Sequence, residues 1–248
     1  MTKTDNLHSI AIIGAGSMGS GIAQVAAQAG HSVILFDTNK GALERSQKDL
    51  AKVAERQVIK GRWTQESSDA LQERIKRTDN LKKATGCALI IEAIVENFEA
   101  KSSLFQKLEE IVDPMTILAT NTSSLSVTEL AGKLNHPERF IGLQFFNPAP
   151  LMALVEIVPA LQTDSSVVDQ CQILMAQWKK SAVIAKDTPG FIVNRLARPF
   201  YGEALRIAEE GVHSIETIDA AMKAIGFRMG PFELMDLIGN DVNYAVTC

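Results

Sequence analysis

The chain has 248 residues and a formal net charge of −4, which leaves no basic excess for binding nucleic acid or an acidic membrane surface. Hydrophobic residues make up 46% and charged residues 22%, as in ordinary globular proteins with a sizeable core. No apolar run approaches the roughly 18 residues that span a bilayer. The cysteines, Cys87, Cys171 and Cys248, are scattered and lack metal-ligand spacing. We therefore predict a cytoplasmic protein with no disulfide, no metal site and no membrane or nucleic-acid partner.

Apolar runs alternate with helical periodicity through the first three quarters of the chain. The patterns predict strands at 8–13, 32–36, 87–93, 117–120, 140–146, 154–158 and 182–184. They predict helices between the first two strands, at 40–60, 65–76 and 100–112, and at 165–178. This alternation is typical of an α/β fold, and we predict a Rossmann-type doubly wound parallel sheet.

The pattern changes after Asp187, at the sequence Thr188-Pro189-Gly190. Helices are predicted at 191–211, at 215–225 and from residue 231 onward. We place a domain boundary here, between a sheet domain at 1–187 and an all-helical domain at 188–248. Residues 231–248 resemble one amphipathic helix without a capping glycine, so we expect the helical domain to be incomplete.

A glycine-rich loop follows the first predicted strand. Gly14, Gly16 and Gly19 form G-x-G-x-x-G, with Ser17 and Met18 between the last two glycines. In such loops the glycines allow a tight turn, approach of a pyrophosphate and close helix–strand packing, and the following helix N-terminus attracts phosphate. Asp37 ends the next strand, where a carboxylate binds a ribose 2′-hydroxyl and repels a 2′-phosphate. We predict an NAD site in preference to an NADP site.

Five further motifs occur in register along nearly the whole chain. They are Ile91-Glu92-Ala93, Asn121-Thr122-Ser123-Ser124, Phe145-Phe146-Asn147-Pro148-Ala149-Pro150-Leu151-Met152, Leu154-Val155-Glu156, and residues 188–195. Together with the glycine loop they make the chain resemble the L-3-hydroxyacyl-CoA dehydrogenase family. Residues 198–201 and 236–243 are most similar to a bacterial branch that oxidises 3-hydroxyadipyl-CoA in phenylacetate catabolism.

The resemblance implies a reaction and a set of site residues. A 3-hydroxyacyl-CoA thioester gives a hydride from C3 to NAD and its hydroxyl proton to a histidine base. Glu156 matches the carboxylate that orients this histidine. Ser123 and Asn194 match residues that bind the substrate oxygen, and Asn147 matches a polar residue beside the base. Because Asn194 opens the helical domain, the resemblance also implies a site between two domains, and a homodimer through the helical domain.

Other residues are expected beside the cofactor. Glu96 matches a position near the nicotinamide ribose, Lys101 follows it, and Asn121 ends a strand close to the nicotinamide. Met18 is expected to pack within its loop. A basic stretch at Lys52, Arg56, Lys60 and Arg62 is a candidate for contacting the CoA phosphates, the alternative being a solvated helix face.

The position of the catalytic histidine holds Gln144. A glutamine amide donates and accepts hydrogen bonds but accepts no proton near neutral pH. Three explanations are open: a substitution introduced to trap a complex, natural divergence, or Glu156 acting as the base through a water molecule. None of the four histidines, among them His31 and His136, is an evident replacement.

Three functions are therefore compatible with the sequence. The first is NAD-dependent oxidation of an L-3-hydroxyacyl-CoA, weakened by Gln144. The second is binding of NAD and acyl-CoA without turnover. The third is a dehydrogenase of a non-CoA hydroxy acid on the same scaffold.

Overall fold

The computed structural model describes residues 9–240. By its internal contacts the chain divides into two units, Met1–Asp187 and Thr188–Cys248, and each is described by itself below.

A single eight-stranded sheet forms the centre of the first unit, with strand order β3-β2-β1-β4-β5-β6-β7-β8. Its strands are β1 Ser9–Ile13, β2 Ser32–Phe36, β3 Ile75–Thr78, β4 Leu89–Glu92, β5 Ile117–Thr120, β6 Phe140–Phe145, β7 Leu154–Pro159 and β8 Ser181–Ile184. Strands β1 and β4 to β7 are buried along most of their length, because helices cover both faces.

Six helices connect these strands: α1 Ser17–Gln28, α2 Lys40–Ile59, α3 Gln65–Arg74, α4 Phe98–Glu109, α5 Val127–Ala131 and α6 Ser165–Gln177. Most of them begin at a side chain that accepts a hydrogen bond from the first turn, as Asn39 does in α2 and Asn97 in α4. Apolar residues of β1, β2, β6, β7, α1 and α6 form the main core, which includes Ile12, Leu143 and Trp178. The predicted Rossmann-type α/β fold is confirmed.

The sheet is mostly parallel, but β6 and β7 pair antiparallel. The doubly wound parallel sheet predicted from the sequence is thus confirmed, with this one antiparallel pair as the departure. Only residues 146–153 connect the two strands. A parallel connection needs a dozen or more residues, so this spacing was a signal for a hairpin-like return.

Two short elements were not predicted. Strand β3 has the sequence Ile-Lys-Arg-Thr, which lacks an apolar run because it is the edge strand beside β2. It ends the preceding helix at Arg74, so the helix predicted to residue 76 is too long. Helix α5 has only five residues and carries no readable period.

The second unit contains α7 Val193–Glu209, α8 Ile215–Ala224 and α9 Pro231–Ile238 within its described part. The side chain of Asp219 accepts hydrogen bonds from the amides of Phe232 and Glu233, which anchors α9 against α8. The single helix predicted for 231–248 is wrong at its middle, because Gly239 has a φ of 96° and ends α9. Residues 241–248 lie outside the described part. Within residues 9–240, no helix is long and apolar enough to cross a membrane.

Candidate active site

The glycine loop joins β1 to α1 and has three different steric roles for its glycines. A Cβ on Gly14 would lie 2.5 Å from the carbonyl oxygen of Ala93, and one on Gly19 would lie 1.8 Å from the carbonyl oxygen of Gly14. A Cβ on Gly16 would meet nothing within 4 Å, so Gly16 leaves open space beside the N-terminus of α1. This arrangement suits a bound pyrophosphate, which needs close backbone approach and free helix N–H groups.

Asp37 lies at the end of β2 and is tied to this loop. One carboxylate oxygen accepts a hydrogen bond from the amide of Ala15 at 2.7 Å, and the other accepts from the amide of Asn39 at 2.8 Å. A cleft of about 410 Å³ opens beside it, lined also by Gly14, Gly16 and Val95. The cleft lies where the strand order reverses around β1 and β4, which is the usual nucleotide site of such sheets. These residues fit the adenosine part of a dinucleotide.

A larger cleft of about 710 Å³ lies on the other side of the loop. Its walls are the start of α1, one face of α2 and the segment 147–151 that follows β6. Three basic residues, Arg45 and Arg56 of α2 and Lys60 at its C-terminal cap, line it together with Asp49. Of the predicted basic stretch, Arg56 and Lys60 therefore face the cleft, whereas Lys52 lies 3.7 Å from Asp49 and Arg62 does not line it. Arg45 was missed, although it shares a helix face with Arg56 about three turns away.

Gln144 and Glu156 are paired residues in the β6–β7 ladder. Directly opposed residues point to the same face of a sheet, with Cβ atoms about 4.5–5.5 Å apart. That face packs on α5, because a Cβ at Gly142 would lie 3.0 Å from Val127 Cγ2. Gln144 is 4% exposed, and its side-chain oxygen accepts no hydrogen bond from any residue of the described chain. The structure thus brings the predicted base position next to its predicted orienting carboxylate.

Glu96 binds the loop that carries Ser123. One oxygen of its carboxylate accepts hydrogen bonds from Thr122 Oγ1 at 2.5 Å, the Ser123 amide at 2.8 Å, and the Ser124 amide and hydroxyl at 3.2 and 3.0 Å. Burial acts to raise the pKa of Glu96, but the charge of Lys101 and these hydrogen bonds outweigh it and hold the pKa below its ordinary value. Glu96 is therefore an anion that fixes the loop 122–124, a role that the sequence did not predict.

Lys101 is buried to 99% of its side-chain area, and its ammonium group lies 2.5 Å from Glu92 and 3.2 Å from Glu96. The sequence placed Lys101 among cofactor-binding residues, but its charged group faces these two carboxylates and lines neither cleft. Burial raises the pKa of Glu92 above its ordinary value, against the opposing effects of Lys101 and Thr120.

Three further polar residues fix the loops around the site. Asn121 accepts a hydrogen bond from the amide of Phe145 at 2.8 Å, which ties the end of β5 to β6 beside Gln144. Ser17 donates to Asn147 Oδ1 at 3.5 Å, which joins the glycine loop to the segment after β6. The ammonium of Lys180 donates to the carbonyls of Ala149 and Met152 at 2.6 and 2.7 Å, and burial lowers its pKa. Lys180 was missed because nothing local in its sequence indicates a contact 28 to 31 residues away.

The remaining predicted residues are Met18 and Asn194. Met18 is partly buried and packs on the core, as expected. Asn194 lies in the first turn of α7, in the second unit. Just before it, Gly190 and Phe191 have φ values of 74° and 45°. Asp187 ends the first unit, where its carboxylate accepts hydrogen bonds from the amides of Val127 and Thr128 at the start of α5.

Comparison with known proteins decides the family. The model of the 3-hydroxyacyl-CoA dehydrogenase NAD-binding domain matches residues 9–188, and that of the C-terminal domain of the same family matches residues 190–248. The chain belongs to the 3-hydroxyacyl-CoA dehydrogenase family. The predicted family and its NAD cofactor are thereby confirmed.

Named relatives agree with this assignment. The chain is 47% identical over 244 residues to a 3-hydroxyadipyl-CoA dehydrogenase of Escherichia coli, covering 98% of this chain and 51% of that protein. It is 44% identical to the mitochondrial hydroxyacyl-coenzyme A dehydrogenase of Rattus norvegicus, covering 94% and 76%. A crystal structure of a 3-hydroxybutyryl-CoA dehydrogenase from Escherichia coli has a TM-score of 0.95 at 47% identity, covering 98% and 52%. The chain thus spans about half the length of its Escherichia coli relatives.

Proposed function

We propose that this chain binds NAD and an acyl-CoA thioester and oxidises an L-3-hydroxyacyl-CoA to the 3-oxoacyl-CoA, at a rate limited by Gln144. The observation that carries the proposal is the pairing of Gln144 with Glu156 on one buried face of β6 and β7. Burying two polar side chains costs free energy, so we infer that this pair has a functional role. In a dehydrogenase site they would face the hydroxyl that loses its proton.

The proposed roles follow from the chemistry of each group. NAD supplies the hydride acceptor when it is bound. Ser123 hydrogen-bonds the 3-hydroxyl oxygen, and Asn147 lies beside the base position. The role of Asn194 stays a prediction from the family resemblance. Gln144 can hold that hydroxyl by a hydrogen bond, but its amide cannot take the proton. The proton would then have to be lost to solvent water, which is a slower route than transfer to a positioned imidazole.

The cleft beside α2 supports the choice of a CoA thioester. Arg45, Arg56 and Lys60 give it more positive than negative charge, with Asp49 as the acidic residue among its lining. CoA carries several phosphate charges, which basic side chains bind strongly. A small hydroxy acid carries no phosphate groups, so it would neither fill a cleft of about 710 Å³ nor pair with its basic side chains in this way.

Binding without turnover is the alternative that a specific observation favours. The side-chain oxygen of Gln144 is buried without a hydrogen-bond donor in the described chain, so it is available to a donor on a ligand. A 3-hydroxyl group is such a donor. This would hold the substrate well in its ground state without helping the proton to leave, which favours binding over catalysis.

Finer assignments extend the same proposal. A 3-hydroxyadipyl-CoA substrate in phenylacetate catabolism is supported by motif resemblance and by the name of the Escherichia coli relative. A homodimer through the helical unit is supported by its exposed apolar side chains, among them Leu196, Leu205 and Leu237. We further propose a cytoplasmic location, from the composition and the buried free thiols of Cys87 and Cys171.

The test combines binding and turnover. NADH and CoA affinities are measured by fluorescence and calorimetry, and turnover by NADH absorbance with 3-hydroxybutyryl-CoA. We expect NADH binding, CoA binding that weakens in Arg56→Ala and Lys60→Ala but not in the control Lys52→Ala, and slow turnover. Failure to bind CoA together with turnover of a free hydroxy acid would show that the substrate is not a CoA thioester. Binding of both ligands with no turnover at all would establish the alternative.

A further inference from the structure

A buried ion pair lies under the candidate site. Glu92, the last residue of β4, is 0% exposed, and Lys101, in the first turns of α4, is 1% exposed. The carboxylate of Glu92 is fully engaged: Oε1 accepts from Lys101 Nζ at 2.5 Å and from the Ile94 amide at 2.7 Å, and Oε2 accepts from Thr120 Oγ1 at 2.7 Å. Removing two such charges from water is costly, and a buried pair is weak evidence for a stabilising role. The pair therefore calls for another explanation.

Lys101 connects this buried carboxylate to a second one at the surface of the site. Its ammonium also lies 3.2 Å from Oε2 of Glu96, whose side chain is 36% exposed. The other oxygen of Glu96 receives all four hydrogen bonds from Thr122, Ser123 and Ser124. One oxygen thus faces the lysine and the other faces the loop, so the position of Lys101 sets the direction in which Glu96 presents its acceptor.

We propose that Glu92 is a positioning residue for Ser123, which acts by holding Lys101 so that Glu96 clamps the loop 122–124. The functional meaning of the clamp rests on the proposed role of Ser123 in binding the substrate oxygen. Neither Glu92 nor Lys101 lines either of the two clefts. Their effect reaches the site through the chain Glu92, Lys101, Glu96 and the Ser123 amide.

A single exposed carboxylate would hold the loop 122–124 less firmly than the arrangement of Glu92, Lys101 and Glu96. A glutamate side chain at the surface samples several rotamers, and ordering it has an entropic cost. The lysine fixes one oxygen of Glu96 by charge, and Glu92 fixes the lysine from the core, where it is itself held by β4 and β5. Through these contacts the loop 122–124 is held in a fixed position relative to the sheet. A substrate-binding group requires such a fixed position.

The test separates positioning from stability with three variants and one matched control. Lys101→Met leaves the buried carboxylate of Glu92 without its cation, and Glu92→Gln leaves the buried ammonium of Lys101 with only the partly exposed Glu96, so both should lower the unfolding midpoint. The double variant Glu92→Gln/Lys101→Met removes both charges and should recover much of that loss. Glu109→Gln breaks a different buried pair, with Arg139 at 3.7 Å, before the start of β6 and away from the loop.

Amide hydrogen exchange at Ser123 and Ser124 is the deciding measurement. We expect exchange at least about tenfold faster in both single variants and in the stabilised double variant, because loss of a hydrogen bond to a charged acceptor opens the loop locally. Glu109→Gln should leave these two amides protected after its own stability loss is subtracted. Wild-type protection in the double variant would overturn the proposal and leave the pair a purely structural role.

Exchange needs no ligand or turnover, so it is independent of the proposed function. In a Gln144→His background, the double variant should lower kcat more than it raises the KM for NAD. The reason is that a mobile loop would no longer hold Ser123 in position to bind the reacting oxygen of the substrate. If the Ser123 and Ser124 amides exchange faster but kcat is unchanged, the proposed role of Ser123 in binding the substrate oxygen is refuted. The proposal that Glu92 positions the loop through Lys101 and Glu96 would still hold.

Discussion

Gln144 lies directly opposite Glu156 in the antiparallel ladder between β6 and β7, and both side chains are almost completely buried. This pairing puts a carboxylate beside a group that cannot take a proton. A histidine at residue 144 would lie on the same face of the sheet as the carboxylate of Glu156.

Restoring a base is therefore the first prediction. Gln144→His should raise kcat by about 10²–10⁴-fold, the usual contribution of general-base catalysis. The kcat/KM of this variant should fall as the pH drops below the ordinary histidine pKa of about 6.5, because only neutral imidazole accepts the proton. NADH absorbance with 3-hydroxybutyryl-CoA measures both effects.

The matched control changes the partner. Glu156→Gln should reduce kcat strongly in the Gln144→His background but only slightly in the Gln144 protein, if its role is to orient an imidazole. An equal loss in both backgrounds would indicate that Glu156 itself acts through water.

The glycine loop gives a second prediction from two matched substitutions. Gly19→Ala puts a Cβ 1.8 Å from the carbonyl oxygen of Gly14 and should lower the thermal midpoint markedly. Gly16→Ala meets no protein atom within 4 Å and should fold normally, yet bind NADH at least about tenfold more weakly by blocking the pyrophosphate. Unchanged NADH affinity in folded Gly16→Ala would falsify the placement of the cofactor.

Asp37 gives a third prediction, on cofactor choice. Asp37→Asn removes the charge that repels a 2′-phosphate and weakens the acceptor for the ribose hydroxyl. The ratio of NADPH to NADH dissociation constants should therefore fall by about tenfold or more, which corresponds to about 1.4 kcal/mol. Fluorescence titration of both nucleotides measures the ratio, and Asp49→Asn, outside the adenosine cleft, is the control. A ratio that stays constant would argue against a ribose contact.

The pH dependence of stability provides a fourth prediction. Since the pKa of Glu96 lies below its ordinary value of 4.5, the unfolded state binds more protons than the folded state in the interval between the two. The contribution of Glu96 is thus complete above about pH 4.5 and is lost as the pH falls through its folded pKa. The urea midpoint of wild type should exceed that of Glu96→Gln at pH 7, and the gap should close below pH 4.5. A gap that widens in acid would contradict this sign.

Lys180 offers a fifth prediction. Lys180→Met keeps the apolar stem but removes two hydrogen bonds to the carbonyls of Ala149 and Met152. We expect a loss of about 1–2 kcal/mol in unfolding free energy and weaker CoA binding, because segment 147–151 forms one wall of the larger cleft. The neighbouring exposed Lys179 serves as control, since Lys179→Met should change neither quantity. Equal effects of Lys179→Met and Lys180→Met would indicate that the loss of positive charge matters, and not the two hydrogen bonds that hold segment 147–151.

Much of this protein is determined by the sequence alone, because the signals are local. The glycine loop, Asp37 and the alternation of strands and helices depend on spacing within a few residues, and these predict a Rossmann-type fold and a dinucleotide site. The change of character after Asp187 is equally local. The identity of residue 144 is also a property of the sequence, and with it the question of whether the site has a base.

Only the tertiary structure decided which residues act together. The antiparallel return of β7 puts Glu156 opposite Gln144, and folding of α4 onto the sheet buries Lys101 between Glu92 and Glu96. Lys180 reaches the segment after β6, and Arg45 joins Arg56 along one cleft. These contacts depend on burial and on strand register between distant segments, which hydrophobic periodicity along the chain does not specify.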